Sequence, residues 1–374
     1  MKSLNYHHFK LSKLGYLLIL LFSVTCSLAF STPVSNHTES SLNELAKTKG
    51  LFYGAALDDY VFKDEQLKQA IVKDIGAVTA ENGCKWDFIR AKGDFNFTSC
   101  DRMLEFARSH NLKFRGHTLI WHVANPEWLN REINPQNAEQ LMKEHITRVM
   151  SRYKGKVYSW DVVNEVVAPE DGRPDGLRNN IWLKNIGADY IEKAFKYAKQ
   201  ADPKAILVYN EILIENDSQE ARAKRKAALQ LLRQLKAKKV PIGAVGLQGH
   251  LWNNDTFREI ESFIEEVGKL GLSVYITELD VSDTYIYGDI AHRDKEVAKL
   301  YTDFLNQIID QPALKGIITW GWSDKYSWMN RSQIPGVSRE DKQPLRPHPV
   351  DDRFNKKLAW QAIADALKKR EAIK

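Results

Sequence analysis

Cysteine is scarce in this chain. Only Cys26, Cys84 and Cys100 occur in 374 residues, too few for a disulfide framework or a cysteine-built metal centre. Long hydrophobic runs are missing as well. The longest, Leu17–Val24 (LLILLFSV), falls short of the ~20 apolar residues that span a bilayer. No G-x-G-x-x-G follows a β-rich run, which weakens dinucleotide binding, and neither H-E-x-x-H nor G-x-S-x-G occurs. A catalytic metal and a serine-elbow hydrolase are therefore disfavoured. Charge of one sign is barely in excess. The formal net charge is +6, and Lys2, Lys10 and Lys13 lie in a first stretch of thirty residues that holds no acid. What remains is too weak to argue for nucleic acid or an anionic membrane as partner. Beyond Leu45 there is no Pro/Ser/Gly-rich linker, low-complexity tract or short repeat, so residues 45–374 read as one body without an appended module.

The N-terminus reads as an address. Lys10 and Lys13 precede the apolar run, and small residues follow at Ser27, Ala29 and Ser31. That order is the pattern of a secretory signal peptide, here 1–31, and implies an extracellular or periplasmic destination. Residues 32–44 (TPVSNHTESSLNE) read as a frayed polar leader. In an oxidising compartment the spacing of Cys84 and Cys100 permits a disulfide, although the sequence alone favours leaving them unpaired. Five N-x-S/T sequons, at Asn36, Asn96, Asn216, Asn254 and Asn330, carry glycans only in a eukaryotic host.

What recurs along the chain is an alternation. Short β-rich runs at 51–57, 77–82, 113–121, 157–165, 206–211, 244–250, 273–281 and 316–322 are separated by helix-period segments such as 137–153, 183–200 and 218–239, with another at 355–370. Strands alternating with helices imply parallel pairing through right-handed crossovers. Eight strands and a closing helix point to an α/β fold, a single (β/α)8 TIM barrel.

Function in such barrels collects where strands end. Seven of the ten tryptophans (Trp86, Trp121, Trp128, Trp252, Trp320, Trp322 and Trp328) fall at or just after an expected strand end. Flat rings beside polar tips suit a pyranose, whose C–H face stacks while its hydroxyls seek partners. Cleaving a glycosidic bond takes two carboxyl groups, one on each side of it. Glu165 and Glu278 are the best pair, because each ends a strand otherwise too apolar to tolerate it. Alternation puts Glu278 and Asp280 on one face of strand seven, and Gln248 and His250 on one face of strand six. An Asp280–His250–Glu278 relay is then expected to keep Glu278 ionised. His117 and Trp121 share a face, whereas His117 and His122 are expected on opposite ones, which argues against a metal pair. The Lys/Arg-rich stretch 222–239 reads as the solvated face of an outer helix.

Taken together these residues resemble the family 10 glycoside hydrolases, the endo-β-1,4-xylanases, from about Leu51 to Ile363. The likeness rests on F-Y-G-A-A (52–56), E-N-x-x-K-W (81–86), R-G-H-T-L-I-W-H (115–122), W-D-V-V-N-E (160–165), Y-N-E (209–211), G-L-Q-G-H-L (246–251), I-T-E-L-D-V (276–281) and W-G-W-S-D-K-Y-S-W (320–328). Eight motifs in order, each on its own strand, are highly specific. The resemblance implies endo-acting, retaining hydrolysis of xylan and xylo-oligosaccharides by a monomer without cofactor. It implies that Glu165 is the acid/base and Glu278 the nucleophile. Asn164 would bond the sugar 2-hydroxyl, Gln248 would sit near the acid/base and His250 near the nucleophile. His117 and Trp121 would line the cleavage subsite, Glu81, Asn82 and Lys85 would hold the next sugar, and Trp320 and Trp328 would wall the donor sites. For Asn164 and Glu165 to act together, strand four must break or bulge between them.

The chain departs from the family pattern at Cys84, where methionine is common, at Glu211, where aspartate is more usual, and in the Pro- and charge-rich 344–354. A barrel glucanase would share the two glutamates but lack the Lys85 and Trp328 constellation. A non-catalytic sugar-binding barrel would have lost one glutamate, and this chain keeps both.

Overall fold

In the computed structural model the described residues are 40–334 and 336–371. The expected signal peptide, most of the polar leader, Cys26 and the Asn36 sequon lie outside them. The described part of the leader is not frayed. Ser41 caps the helix Leu42–Lys47, accepting from the Glu44 amide, while Glu44 accepts from the Ser41 amide. This S-x-x-E box satisfies two helix-end donors at once, and Leu42 and Ala46 are fully buried. The ordered body therefore begins before residue 45.

Eight parallel strands close a barrel, and the expected fold is the observed one. They are β1 (Tyr53–Leu57), β2 (Ala77–Ala80), β3 (Lys113–Gly116), β4 (Ser159–Asn164), β5 (Ile206–Glu211), β6 (Ala244–Leu247), β7 (Ser273–Ser282) and β8 (Leu314–Thr319). Each pairs with the next, and β8 returns to β1 through Tyr53 opposite Ile317. A short strand, His250–Trp252, continues past β6 and lies alongside Asp280–Ser282 of β7. Almost every strand residue is buried, as a sheet covered on both faces requires. Where β3 runs over β4 only glycine fits at position 116, since a Cβ there would sit 2.2 Å from the Trp160 ring.

Several expected elements are shorter than their apolar patterns. The run 113–121 is a strand only to Gly116. The segment 183–200 is two helices, Ile181–Ile186 and Tyr190–Ala201, because Gly187 ends the first at φ 101° and ψ 175°, a conformation open essentially to glycine alone. The basic stretch is the helix Gln219–Ala237, but it is not simply a solvated face. Lys224 and Arg225 are buried. They turn inward because partners wait there: Lys224 meets Glu211 at 3.0 Å, and Arg225 donates to the carbonyls of Ile214 and Asn216.

Cys84 and Cys100 are joined, with Cα atoms 4.9 Å apart. The helix Thr98–Ser109 brings Cys100 beneath the loop after β2, a juxtaposition that sequence spacing does not reveal. The tryptophans also divide. Trp322 and Trp360 both donate to Asp74, which in turn accepts from the Leu42 amide, so one buried carboxylate ties the first helix, the end of β8 and the last helix together. Trp86 is buried and stacks on His145 at 3.7 Å, and Trp128 donates to the Arg90 carbonyl. These three of the seven strand-end tryptophans hold loops to the barrel and do not form an open face.

His145 and His348 are fully buried, and neither ring nitrogen of either has a hydrogen-bond partner among the described residues. Burial therefore pushes both imidazoles down, His145 well below its ordinary 6.5 and His348 to about 3. The unfolded chain binds these protons more readily than the folded one, so their contribution to stability is full above 6.5 and is lost as pH falls. His145→Phe keeps a ring stacked on Trp86 and removes one titration. Urea unfolding at a series of pH values below 6.5 should show a shallower acid loss than in the native chain, by up to about 1.4 kcal/mol per pH unit. Parallel slopes would exclude His145 as a source of the acid sensitivity.

Candidate active site

The C-terminal ends of the strands open into a mouth whose floor is polar. Inside the barrel Arg115 pairs with Asp161 at 2.6 Å, and the other Asp161 oxygen meets His117 Nδ1 at 2.9 Å. All three are almost wholly buried. The Arg115 cation compensates the buried carboxylate, and Asp161 orients the His117 ring. Above them, His117 Nδ1 stands 3.9 Å from Glu278.

Glu278 is 5% exposed and surrounded by donors. Asn210 Nδ2 donates to Oε1 at 2.7 Å, and His250 Nε2 lies 3.2 Å from Oε2. Burial alone would raise the Glu278 pKa. The His250 hydrogen bond, the nearby His117 and His250 rings and the Asn210 amide together outweigh it and hold the carboxyl below its ordinary range. His250 is the mirror case. Burial opposes its charge, but Asp280 at 2.7 Å on Nδ1 and Glu278 on Nε2 push its pKa well above 6.5. The geometry of the expected relay is present, with an imidazolium donating to two carboxylates.

Glu165 faces the same mouth. The register of β4 against β5 slips between Asp161 and Val163, and Glu165 itself takes a left-handed conformation at φ 55°. The strand thus breaks where it must, and the Asn164 and Glu165 side chains meet, Nδ2 to Oε1 at 3.2 Å. Gln248 Nε2 donates to the same oxygen at 3.0 Å. A chain of amides links the two glutamates, because Asn210 Nδ2 also reaches Asn164 Oδ1 at 2.8 Å.

Around this pair lie the expected sugar-facing groups. The Lys85 ammonium sits 5.4 Å from the Trp121 ring and 5.8 Å from Trp320, and donates to Asn82 at 2.9 Å. Asn82 also contacts Glu81, and Arg331 closes over Glu81 at 3.2 Å. Burial pushes Glu81 up to about 7 against the pull of Arg331 and Lys85. Trp320 packs edge-on to His117 at 5.1 Å. Trp328 donates to Asp280 at 2.8 Å, with its ring 5.6 Å from His250. Trp252 packs beside Trp328 against Met329, Val337 and Leu345.

The structure brings all thirteen expected site residues to this mouth. It also brings groups that the sequence reading did not assign. His122 was expected to face away from His117, yet its Nδ1 stands 3.9 Å from Glu165 Oε2. Strand alternation does not reach it, because β3 has already ended at Gly116. Burial lowers the His122 pKa to about 4, so the ring is neutral near pH 7. Asp161 and Asn210, inside the W-D-V-V-N-E and Y-N-E motifs, join the site through His117 and Glu278. Alternation along β5 puts Asn210 on the face opposite Tyr209 and Glu211, which was the available signal.

A closed (β/α)8 barrel whose mouth holds paired carboxylates between indole walls defines a glycoside hydrolase. The glycosyl hydrolase family 10 model matches residues 41–366, and the chain belongs to that family. It is 34% identical to the beta-1,4-xylanase of Dictyoglomus thermophilum over 94% of this chain and 98% of that protein. It is 32% identical to a protein of Acetivibrio thermocellus named exoglucanase XynX, covering 90% of this chain but only 31% of that longer relative. Among solved structures, the xylanase 10B of Thermotoga petrophila in complex with xylobiose superposes with a TM-score of 0.78. The identity is 33%, over 88% of this chain and 97% of that one.

The electrostatics make one expectation that is independent of substrate. His250→Asn removes the cation that offsets the burial of Glu278. The Glu278 carboxyl, followed by its 13C shift, should titrate at higher pH than in the native protein. An unmoved titration would show that Asn210 and His117 suffice to hold the charge.

Proposed function

We propose that this protein is an endo-acting retaining xylanase that hydrolyses β-1,4-xylosidic bonds by double displacement. The observation that carries the reading is the pairing of a buried, charge-stabilised Glu278 with Glu165 across one amide-linked mouth. Glu278 attacks the anomeric carbon while Glu165 protonates the departing oxygen, giving a glycosyl–enzyme ester. Glu165, now a carboxylate, then takes a proton from water as it opens the ester, and the anomeric configuration is retained overall. Asn164, held by Asn210, bonds the 2-hydroxyl, and Gln248 steadies the acid/base. Glu81, Asn82 and Lys85 bind the neighbouring sugar. The relatives named xylanases and the xylobiose complex support xylan as substrate. The Cys84–Cys100 bridge and the N-terminal address support secretion.

Two variants test the roles. Glu278→Ala should lose nearly all turnover, and azide should restore cleavage of an activated aryl xylobioside with an α product, because the anion attacks directly. Glu165→Ala should nearly abolish xylan cleavage yet still form the covalent intermediate from a substrate with a good leaving group, and then accumulate it. Activity of Glu278→Ala within tenfold of the native enzyme would rule out the nucleophile. Equal first-step losses for good and poor leaving groups would rule out the acid.

Selection of the sugar follows from space. Glucose carries an exocyclic CH2OH that xylose lacks, and Trp320 and Trp328 are the bulkiest groups able to fill its place. Forcing that group against packed rings costs ~1–3 kcal/mol or more at each site. Xylo-oligosaccharides should accordingly be preferred over cello-oligosaccharides by at least ~100-fold in kcat/KM. Trp328→Ala should narrow the ratio, and a ratio that stays put or widens would place the wall elsewhere.

A further inference from the structure

Glu211 ends β5 without touching the mouth. It is fully buried, and its carboxylate meets four donors that belong to different parts of the chain. Oε1 accepts from the Ile212 amide at 3.1 Å and from Lys224 at 3.0 Å. Oε2 accepts from the Val167 amide at 3.2 Å and from the Tyr209 hydroxyl at 2.5 Å. Lys224 is buried as well, on the outer helix Gln219–Ala237. A buried ion pair of this kind is not a cheap source of stability, since apolar side chains of equal volume often serve as well or better. Its geometry must be read from what it ties down.

It ties down the backbone of Glu165. The Glu165 amide donates to the Asn210 carbonyl at 2.9 Å, one residue before Glu211, and the Val167 amide, two residues after Glu165, is held by Glu211 itself. Arg178 holds the Glu165 carbonyl at 2.7 Å. Between these clamps Glu165 sits at φ 55°, a region that a residue with a Cβ keeps only when its surroundings over-determine it. Gln248 and Asn164 fix the carboxylate, but the direction in which the side chain leaves the backbone is set by that left-handed turn.

We infer that the Glu211–Lys224 pair is a positioning device for the acid/base, holding the 165–167 turn in the conformation that aims Glu165 at the departing oxygen. The inference rests on the acid/base role proposed above. It makes a statement that a purely structural pair would not. A misaimed acid hurts reactions that need protonation and spares those that do not.

The test is kcat/KM, which reports the first chemical step, on phenyl and dinitrophenyl xylobiosides. Glu211→Gln combined with Lys224→Met removes both charges at similar volume and strands neither. The phenyl substrate should lose at least ~10-fold and the dinitrophenyl substrate less than ~3-fold. Glu211→Asp keeps the charge but withdraws the carboxylate from Val167, and should show the same bias. It carries the test alone if the double variant does not fold. Equal losses on the two substrates, or none on either, overturn the inference. Glu165→Ala is run beside them. If that variant discriminates between leaving groups and the Glu211 variants do not, only the positioning role falls. If Glu165→Ala fails to discriminate, the acid/base assignment falls and takes this inference with it.

Discussion

A carboxylate taken out of water must be given donors or it takes up a proton, and the mouth of this barrel is arranged around that constraint at Glu278. His250, Asn210 and His117 together outweigh its burial. Each of those groups has its own anchor: Asp280 for His250, Thr277 and Asn164 for Asn210, Asp161 for His117. Arg115 then compensates Asp161 further down the barrel. The polar interior is one continuous arrangement in which each buried charge requires the next, which is why so much of the strand ends is given over to Asn, His, Asp and Glu.

The barrel was legible because its periodicity is long-range and redundant. Eight apolar runs separated by helix-period segments leave little choice of topology. The two glutamates were legible as a pair because each ends an apolar strand beside Asn, His or Trp, and the structure brings both to one mouth through linked amides. Alternation carried the reasoning from Glu278 to Asp280 and from Gln248 to His250, where short stretches of strand persist. The requirement for a break at Asn164–Glu165 followed from the same rule, and the slipped register of β4 together with the turn at Glu165 supplies it.

The rule failed where the strand had already ended. His122 was set aside by alternation carried beyond Gly116, and it lies beside Glu165. Partners distant in sequence were invisible for a different reason. The sequence shows a basic helix and a glutamate at the end of β5, but not that Lys224 reaches Glu211, nor that Asp74 gathers two indoles from the far end of the chain. Trp322 and Trp328 look alike as strand-end tryptophans, and only packing tells the indole tied to buried Asp74 from the one beside His250. The Cys84–Cys100 pairing belongs with these, since spacing permits many geometries and the fold selects one.

Asp280 accepts from His250 on one oxygen and from the Trp328 indole on the other. In the enzyme proposed above, a single side chain therefore supports the charge of Glu278 through His250 and also holds the Trp328 indole. On that proposal acidity profile and substrate range are one trait and not two. A lineage or an engineer that altered position 280 to shift the working pH would also loosen selectivity. Independent adjustment of either property has to come from residues that touch His250 or Trp328 without passing through that aspartate.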